Sequence, residues 1–139
     1  MTDASDGARI KVWPGIDSDF QPGLSGGGGS GLVKNITYRD FRNKNNDYII
    51  ELTGCYGQKN LTLCAQFPSK VQMQDILFEK FTGTSSKKYD PIVGTLVCSS
   101  QASCKNVVAR NINVSAPSGN PQKWTCNNID KTLLAISCV

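Results

Sequence analysis

Three stretches decide the fold: Asn35-Ile-Thr-Tyr-Arg-Asp-Phe41, Asp75-Ile-Leu-Phe-Glu-Lys-Phe81 and, more loosely, Asn106-Val-Val-Ala-Arg-Asn-Ile112. They are near-repeats of one strand type. A second type lies around them: Arg9-Ile-Lys-Val-Trp13, Tyr48-Ile-Ile-Glu-Leu52, Gly94-Thr-Leu-Val-Cys98 and Trp124-Thr-Cys126. Short β-branched and aromatic runs between Gly, Asn, Ser and Pro clusters, with no sustained helical period, read as all-β. Two strand types alternating at a spacing of tens of residues is the pattern of a solenoid in which each coil gives one strand to each of two or more parallel sheets. A β-sandwich would also show short strands, but with hairpin turns every eight to twelve residues or so, and the loops here are long and uneven. The repeat count predicts roughly three to four coils, close to the minimum for a stable solenoid.

Working outward, 139 residues with 39% hydrophobic content make residues 1–139 one domain, able to bury roughly two-thirds of its unfolded surface. The net charge of +4 is mildly basic, yet the cations are scattered and do not alternate with aromatics, so no nucleic-acid stripe is read. No apolar run approaches the roughly 20 residues of a membrane span. Cys55, Cys64, Cys98, Cys104, Cys126 and Cys138 fall into three near-neighbour pairs. Proximity along the chain pairs Cys55 with Cys64, Cys98 with Cys104 and Cys126 with Cys138, and disulfides imply an oxidising compartment. Zinc competes weakly, because the chain has no histidine and no CxxC, so a closed site would draw four cysteines from distant loops. No cofactor is expected.

Sequons at Asn35, Asn60 and Asn113 make these residues candidate glycosylation sites and point to a secreted, extracellular protein. The start, Met1-Thr-Asp-Ala-Ser-Asp6, has no charged region followed by an apolar one, so no signal peptide is read there. A secreted-looking body without that signal is expected of a fragment, a processed product or a truncated reading frame.

Several chemistries fall away. The loop Ser25-Gly-Gly-Gly-Gly-Ser-Gly31 lacks the Gly-Lys-Ser/Thr ending of a P-loop and precedes a strand, so it reads as a turn between coils. Without histidine, Ser-His-Asp and Cys-His mechanisms are excluded. A carboxylate pair of the glycosidase kind needs only two facing acids. The candidates are Asp3 and Asp6 at a terminus expected to fray, Asp17 and Asp19 in a loop, and single acids elsewhere, each expected to be solvated. Arg9-Ile10-Lys11 is more informative. Strand alternation sends Ile10 inward and both cations outward together, where they could hold a carboxylate or remain two solvated surface charges.

Gly7-Ala8-Arg9-Ile10-Lys11-Val12-Trp13, followed by Gly29-Ser30-Gly31-Leu-Val-Lys-Asn-Ile-Thr-Tyr38, resembles the polygalacturonases of glycoside hydrolase family 28, above all their fungal exo-acting branch. Asp47-Tyr-Ile-Ile-Glu-Leu-Thr-Gly-Cys55-Tyr56-Gly-Gln, with Cys64, Gly94-Thr-Leu-Val-Cys98 and Cys104, keeps the same order. The resemblance implies a right-handed parallel β-helix and inverting hydrolysis of α-1,4 galacturonic acid linkages in pectin by aspartate acid and base. It assigns Arg9, Lys11 and Tyr56 to binding of the substrate, pectin or oligogalacturonate. Gly54 stands where related sequences often carry a larger polar residue. The catalytic Asn-Thr-Asp, Asp-Asp and Gly-His-Gly segments of the family precede the Arg-Ile-Lys strand. Only eight residues precede Arg9 here, so no catalytic residue is expected in this chain. Two functions follow: the C-terminal portion of a pectin hydrolase, or a non-catalytic pectin-binding or decoy protein that engages plant leucine-rich-repeat inhibitors.

Overall fold

The computed structural model describes residues 1–24 and 26–139. Ser25, where the glycine-rich turn was read to begin, lies outside the described residues. The described residues form seven strands: β1 (Asp6–Lys11), β2 (Ser30–Asn46), β3 (Tyr48–Thr53), β4 (Lys70–Ser85), β5 (Ile92–Val97), β6 (Cys104–Ser115) and β7 (Lys123–Asn127). They build two parallel sheets, β1-β3-β5-β7 and β2-β4-β6. The two strand types of the sequence thus separate into two sheets. The chain winds between them as a right-handed parallel β-helix, the hand that parallel crossovers take.

The strands of the second sheet are longer than their repeats, because left-handed residues let each one turn corners without losing its ladder. Asn35, Asp75 and Asn106 have φ of 58°, 55° and 50°, and Asp40, Lys80 and Asn111 have 61°, 57° and 55°. Registration of Ile36 with Ile76 and Ile76 with Val107 stacks the first three coil upon coil. Asn and Asp tolerate this conformation best, and Asn106 Nδ2 donates to Asp75 Oδ1 at 2.8 Å within that stack.

Between these bends the inward residues stack in columns. Tyr38 lies flat on Phe78 with ring centres 5.3 Å apart, and Phe41 on Phe81 at 4.9 Å. Phe78, Phe81, Ile49, Ile50, Leu52, Leu96 and Trp124 are fully buried, each side chain contributing about 1.5–3 kcal/mol of transfer free energy. On the outer face of the second sheet, Glu79 accepts from Arg39 Nε at 2.6 Å and from Arg110 Nε at 2.7 Å. That corrects the expectation that single acids are solvated, since the Glu79 side chain is only 10% exposed and spans three coils. The two arginines hold its carboxyl below the usual range.

The three disulfides are the proximity pairs: Cys55–Cys64, Cys98–Cys104 and Cys126–Cys138. The first ties β3 to a short helix, α1 (Leu61–Gln66), whose N-cap Asn60 accepts from Leu63 N. The last holds the C-terminal segment along β7, where Val139 N donates to Trp124 O at 2.8 Å. This covers the outer edge of the last coil. Among the described residues no helix is long and apolar enough to cross a membrane.

Candidate functional site

The Arg-Ile-Lys strand behaves as alternation requires. Ile10 is buried, while Arg9 and Lys11 leave the opposite face of β1. The turn after its sheet neighbour β3 supplies the third residue. β1 and β3 pair Arg9 with Glu51 and Lys11 with Thr53, and the chain then turns back so that Tyr56 N donates to Val12 O at 3.1 Å. Tyr56 is thereby placed beside the cations, with Lys11 Nζ 4.4 Å and the Arg9 guanidinium 5.3 Å from its ring centre, within cation–π range. The turn depends on Gly57, whose φ is +78° and where a Cβ would run into the Trp13 ring and lie 2.7 Å from Ser18 Oγ. Gly54, in contrast, approaches the next coil: a Cβ there would stand 2.8 Å from Ser99 N, so this chain has no room for a larger residue without a shift.

Arg9 is not a free cation. Its Nε meets Glu51 Oε2 at 2.6 Å and its Nη1 meets Asp6 Oδ2 at 3.1 Å. Two donors of the fork are committed, and the remaining N–H groups stay open to a ligand. Asp6 lies in β1 with its side chain 8% exposed, which corrects the expectation of a frayed, solvated residue: the pairing of β1 with β3 begins at Asp6 and Tyr48. Glu51 is pushed above the usual carboxyl range by burial, with Arg9 opposing and Asp6 adding to the rise. Asp19 is also more than a solvated loop acid, because its Oδ2 accepts from Lys59 N at 2.7 Å.

Beside Arg9 a recess of about 200 Å³ is lined by Asp6, Glu51, Asp47, Tyr48, Lys88 and Tyr89, among others. Tyr48 and Tyr89 stack 4.4 Å apart, and Lys88 pairs with Asp47 at 2.7 Å. Burial and the neighbouring Tyr89, Glu51 and Asp6 push the Tyr48 hydroxyl up to about 12. A groove of about 320 Å³ shares Tyr48 and Glu51 with that recess and continues over β3 and β5 past Thr53, Thr95 and Lys59. Among the described residues no three Cys, Asp or Glu groups are arranged to hold a metal ion.

Sequence reasoning therefore assembled Arg9, Lys11 and Tyr56, and missed the acids that orient Arg9. The available signals were Asp6, three positions before Arg9, and Glu51, the one charge in the apolar run of β3. Asn35, Asn60 and Asn113 are exposed, and Asn60 follows Lys59 at the edge of the groove.

The sequence profile of the glycosyl hydrolases family 28 matches residues 1–138. A probable exopolygalacturonase X of Neosartorya fischeri is 54% identical over 99% of this chain and 32% of its own length. An exopolygalacturonase of Cochliobolus carbonum is 54% identical over 99% of this chain and 31% of its own length. The crystal structure of an endo-xylogalacturonan hydrolase from Aspergillus tubingensis superposes with a TM-score of 0.79 and 31% identity, covering 100% of this chain and 34% of that one. The chain thus spans about a third of the length of the relatives it matches. Profile, relatives and superposed β-helix agree, and the chain belongs to the glycosyl hydrolases family 28.

Proposed function

We propose that this chain is the C-terminal, carboxylate-holding portion of a secreted polygalacturonase that hydrolyses α-1,4 galacturonic acid linkages in pectin. The observation that carries the reading is the convergence of Arg9 and Lys11 on the ring of Tyr56, on an outward sheet face that continues into a groove. Each unit of a galacturonate chain carries one carboxylate and an apolar ring face. Lys11 supplies a point charge, the open donors of Arg9 a directional fork, and Tyr56 a wall that shields both from water.

The acid and base of an inverting glycosidase come from coils other than these. In support, the acids at the groove are already engaged: Asp6 and Glu51 by Arg9, and Asp47 by Lys88. The same engagement favours a second reading, a pectin-binding protein without turnover that occupies plant polygalacturonase inhibitors. Exposed sequons at Asn35, Asn60 and Asn113 carry glycans in either reading; Asn60 uses its Oδ1 as the helix cap and leaves its amide nitrogen for the sugar.

Calorimetric titration of oligogalacturonate tests the site. Arg9→Ala and Lys11→Ala should each weaken binding about tenfold, as loss of a charge-assisted contact of about 1.5 kcal/mol requires. Equal binding by all three proteins would reduce the pair to surface charges. Reducing-end release from polygalacturonate should be absent with this chain. Turnover abolished by replacing an aspartate within it would overturn the assignment of acid and base to other coils.

A further inference from the structure

We propose that Phe20, on the loop between β1 and β2, is a substrate-contacting residue that supports the sugar ring whose carboxylate Lys11 and Arg9 hold; this rests on the reading of those cations as a uronate site.

The loop leaves β1 at Val12 and is fastened to the segment that follows Tyr56. Asp19 N and Ser18 Oγ both donate to Gly57 O, at 2.6 and 3.1 Å. In return Lys59 N donates to Asp19 Oδ2 at 2.7 Å, and Gln58 Nε2 donates to Asp17 O at 3.3 Å. Phe20 N closes on Ser18 Oγ at 3.1 Å. The backbone on the N-terminal side of Phe20 is therefore fixed from several directions without any help from its side chain. The ring meets Tyr56 edge-on at 5.3 Å and Trp13 at 5.8 Å, yet Phe20 remains 56% exposed.

An aromatic ring held in place but more than half exposed is not filling a core. What distinguishes the position is its neighbours. Phe20 and Lys11 are both within 5.3 Å of the Tyr56 ring centre, so they are separated by no more than about 10 Å. One hexuronic acid unit bridges such a gap, with its carboxylate on the cations and its apolar C–H face on the ring. Few polar groups set in aromatic surroundings are the general build of a ligand site, and the loop adds an aromatic face on the Tyr56 side of the cations.

The test is titration of the chain with trigalacturonate and with trigalactose, which keeps the ring faces and lacks the carboxylates. The variants are Phe20→Ala, Phe20→Trp and, as the control on the underlying reading, Arg9→Ala, each checked for an unchanged melting temperature. Phe20→Ala should weaken trigalacturonate binding about threefold to tenfold, the scale of one aromatic contact, and Phe20→Trp should restore it. Trigalactose should bind far more weakly to every protein. If Phe20→Ala binds as the parent does while Arg9→Ala is weakened, the role of Phe20 is refuted and the uronate site stands. Equal binding by Arg9→Ala, or no binding by the parent, refutes both.

Discussion

Gly94 offers the sharpest test of how the coils stack. It lies in β5, registered between Ile50 of β3 and Trp124 of β7, and the buried indole covers it. A Cβ placed on Gly94 would collide with Trp124 Cζ3, stand 2.7 Å from Cε3 and stand 2.8 Å from Ile50 O. Neither neighbour can yield freely, since Trp124 is 0% exposed and its Nε1 donates to Gln122 at 3.1 Å, while Ile50 O belongs to the ladder. Overpacking of this kind costs about 1–3 kcal/mol, partly offset by the roughly 0.5–1 kcal/mol that alanine gains over glycine in a strand. Gly94→Ala should therefore lose about 1–2 kcal/mol, lowering the melting temperature by roughly 3–7 °C in a domain of this size. Urea unfolding of the two proteins gives the difference from the shift in midpoint at constant m. The indole's share is separable: in a Trp124→Phe background the same substitution should cost about 1 kcal/mol less, a coupling in the range found for residues in contact. The clash with Ile50 O would persist. A Gly94→Ala variant as stable as the parent, or equal costs in both backgrounds, would mean that β5 and β7 are not stacked in this register.

Three further outcomes follow from the same geometry. Replacing Cys126 and Cys138 together by Ser should cost about 3 kcal/mol, the loop-closure entropy for a separation of 12 residues, read by chemical denaturation; a loss below about 1 kcal/mol would show that Trp124 and Val139 hold the terminal segment unaided. The Asp47 carboxyl is held low by hydrogen bonds from Lys88 and Ser86, so its stabilisation is present above the unfolded pKa of about 4 and is lost as pH falls through the folded value; Lys88→Met should flatten the acid limb of a melting-temperature profile. Glu51 is shifted the other way. Its contribution is greatest at low pH and declines as pH rises through a folded value above 4.5, so Glu51→Gln should remove that decline, and an unchanged profile would contradict the raised pKa.

The solenoid was legible because its signal is redundant. Three copies of one strand type and four of another leave the sheets little freedom, and β3 begins at Tyr48 as read from the sequence. The lengths of β2, β4 and β6 were not legible. Lys80 takes a left-handed φ of 57° although nothing in a lysine announces it; the stack of Asp40 below and Asn111 above imposes it. Helix α1 was invisible for a different reason: six residues are too few to show a period, and its place is set by the Cys55–Cys64 bridge. In the site, alternation along one strand was enough to pair Arg9 with Lys11. Tyr56 came only through family resemblance. Glu51 was missed because an ion pair across coils has no signature in one strand's pattern, and Asp6 because it was read as part of a terminus that frays, whereas it opens β1.

Why a few coils suffice to hold the cluster around Arg9 in place follows from the one-dimensional character of solenoids, in which each coil contacts only its neighbours. Arg9 and Lys11 leave β1, Glu51 and Tyr56 come from β3 and the turn after it, and Trp13 and Phe20 come from the loop that joins β1 to β2. All of them belong to two adjacent coils. Their backbone is fixed by the β1–β3 ladder, the Cys55–Cys64 bridge and the hydrogen bonds at Gly57, and none of these anchors reaches beyond those coils. The proposed carboxylate site is thus local to two coils, whereas the proposed hydrolysis needs an acid and a base on opposite sides of one bond, a demand that no single pair of coils with its acids already engaged meets.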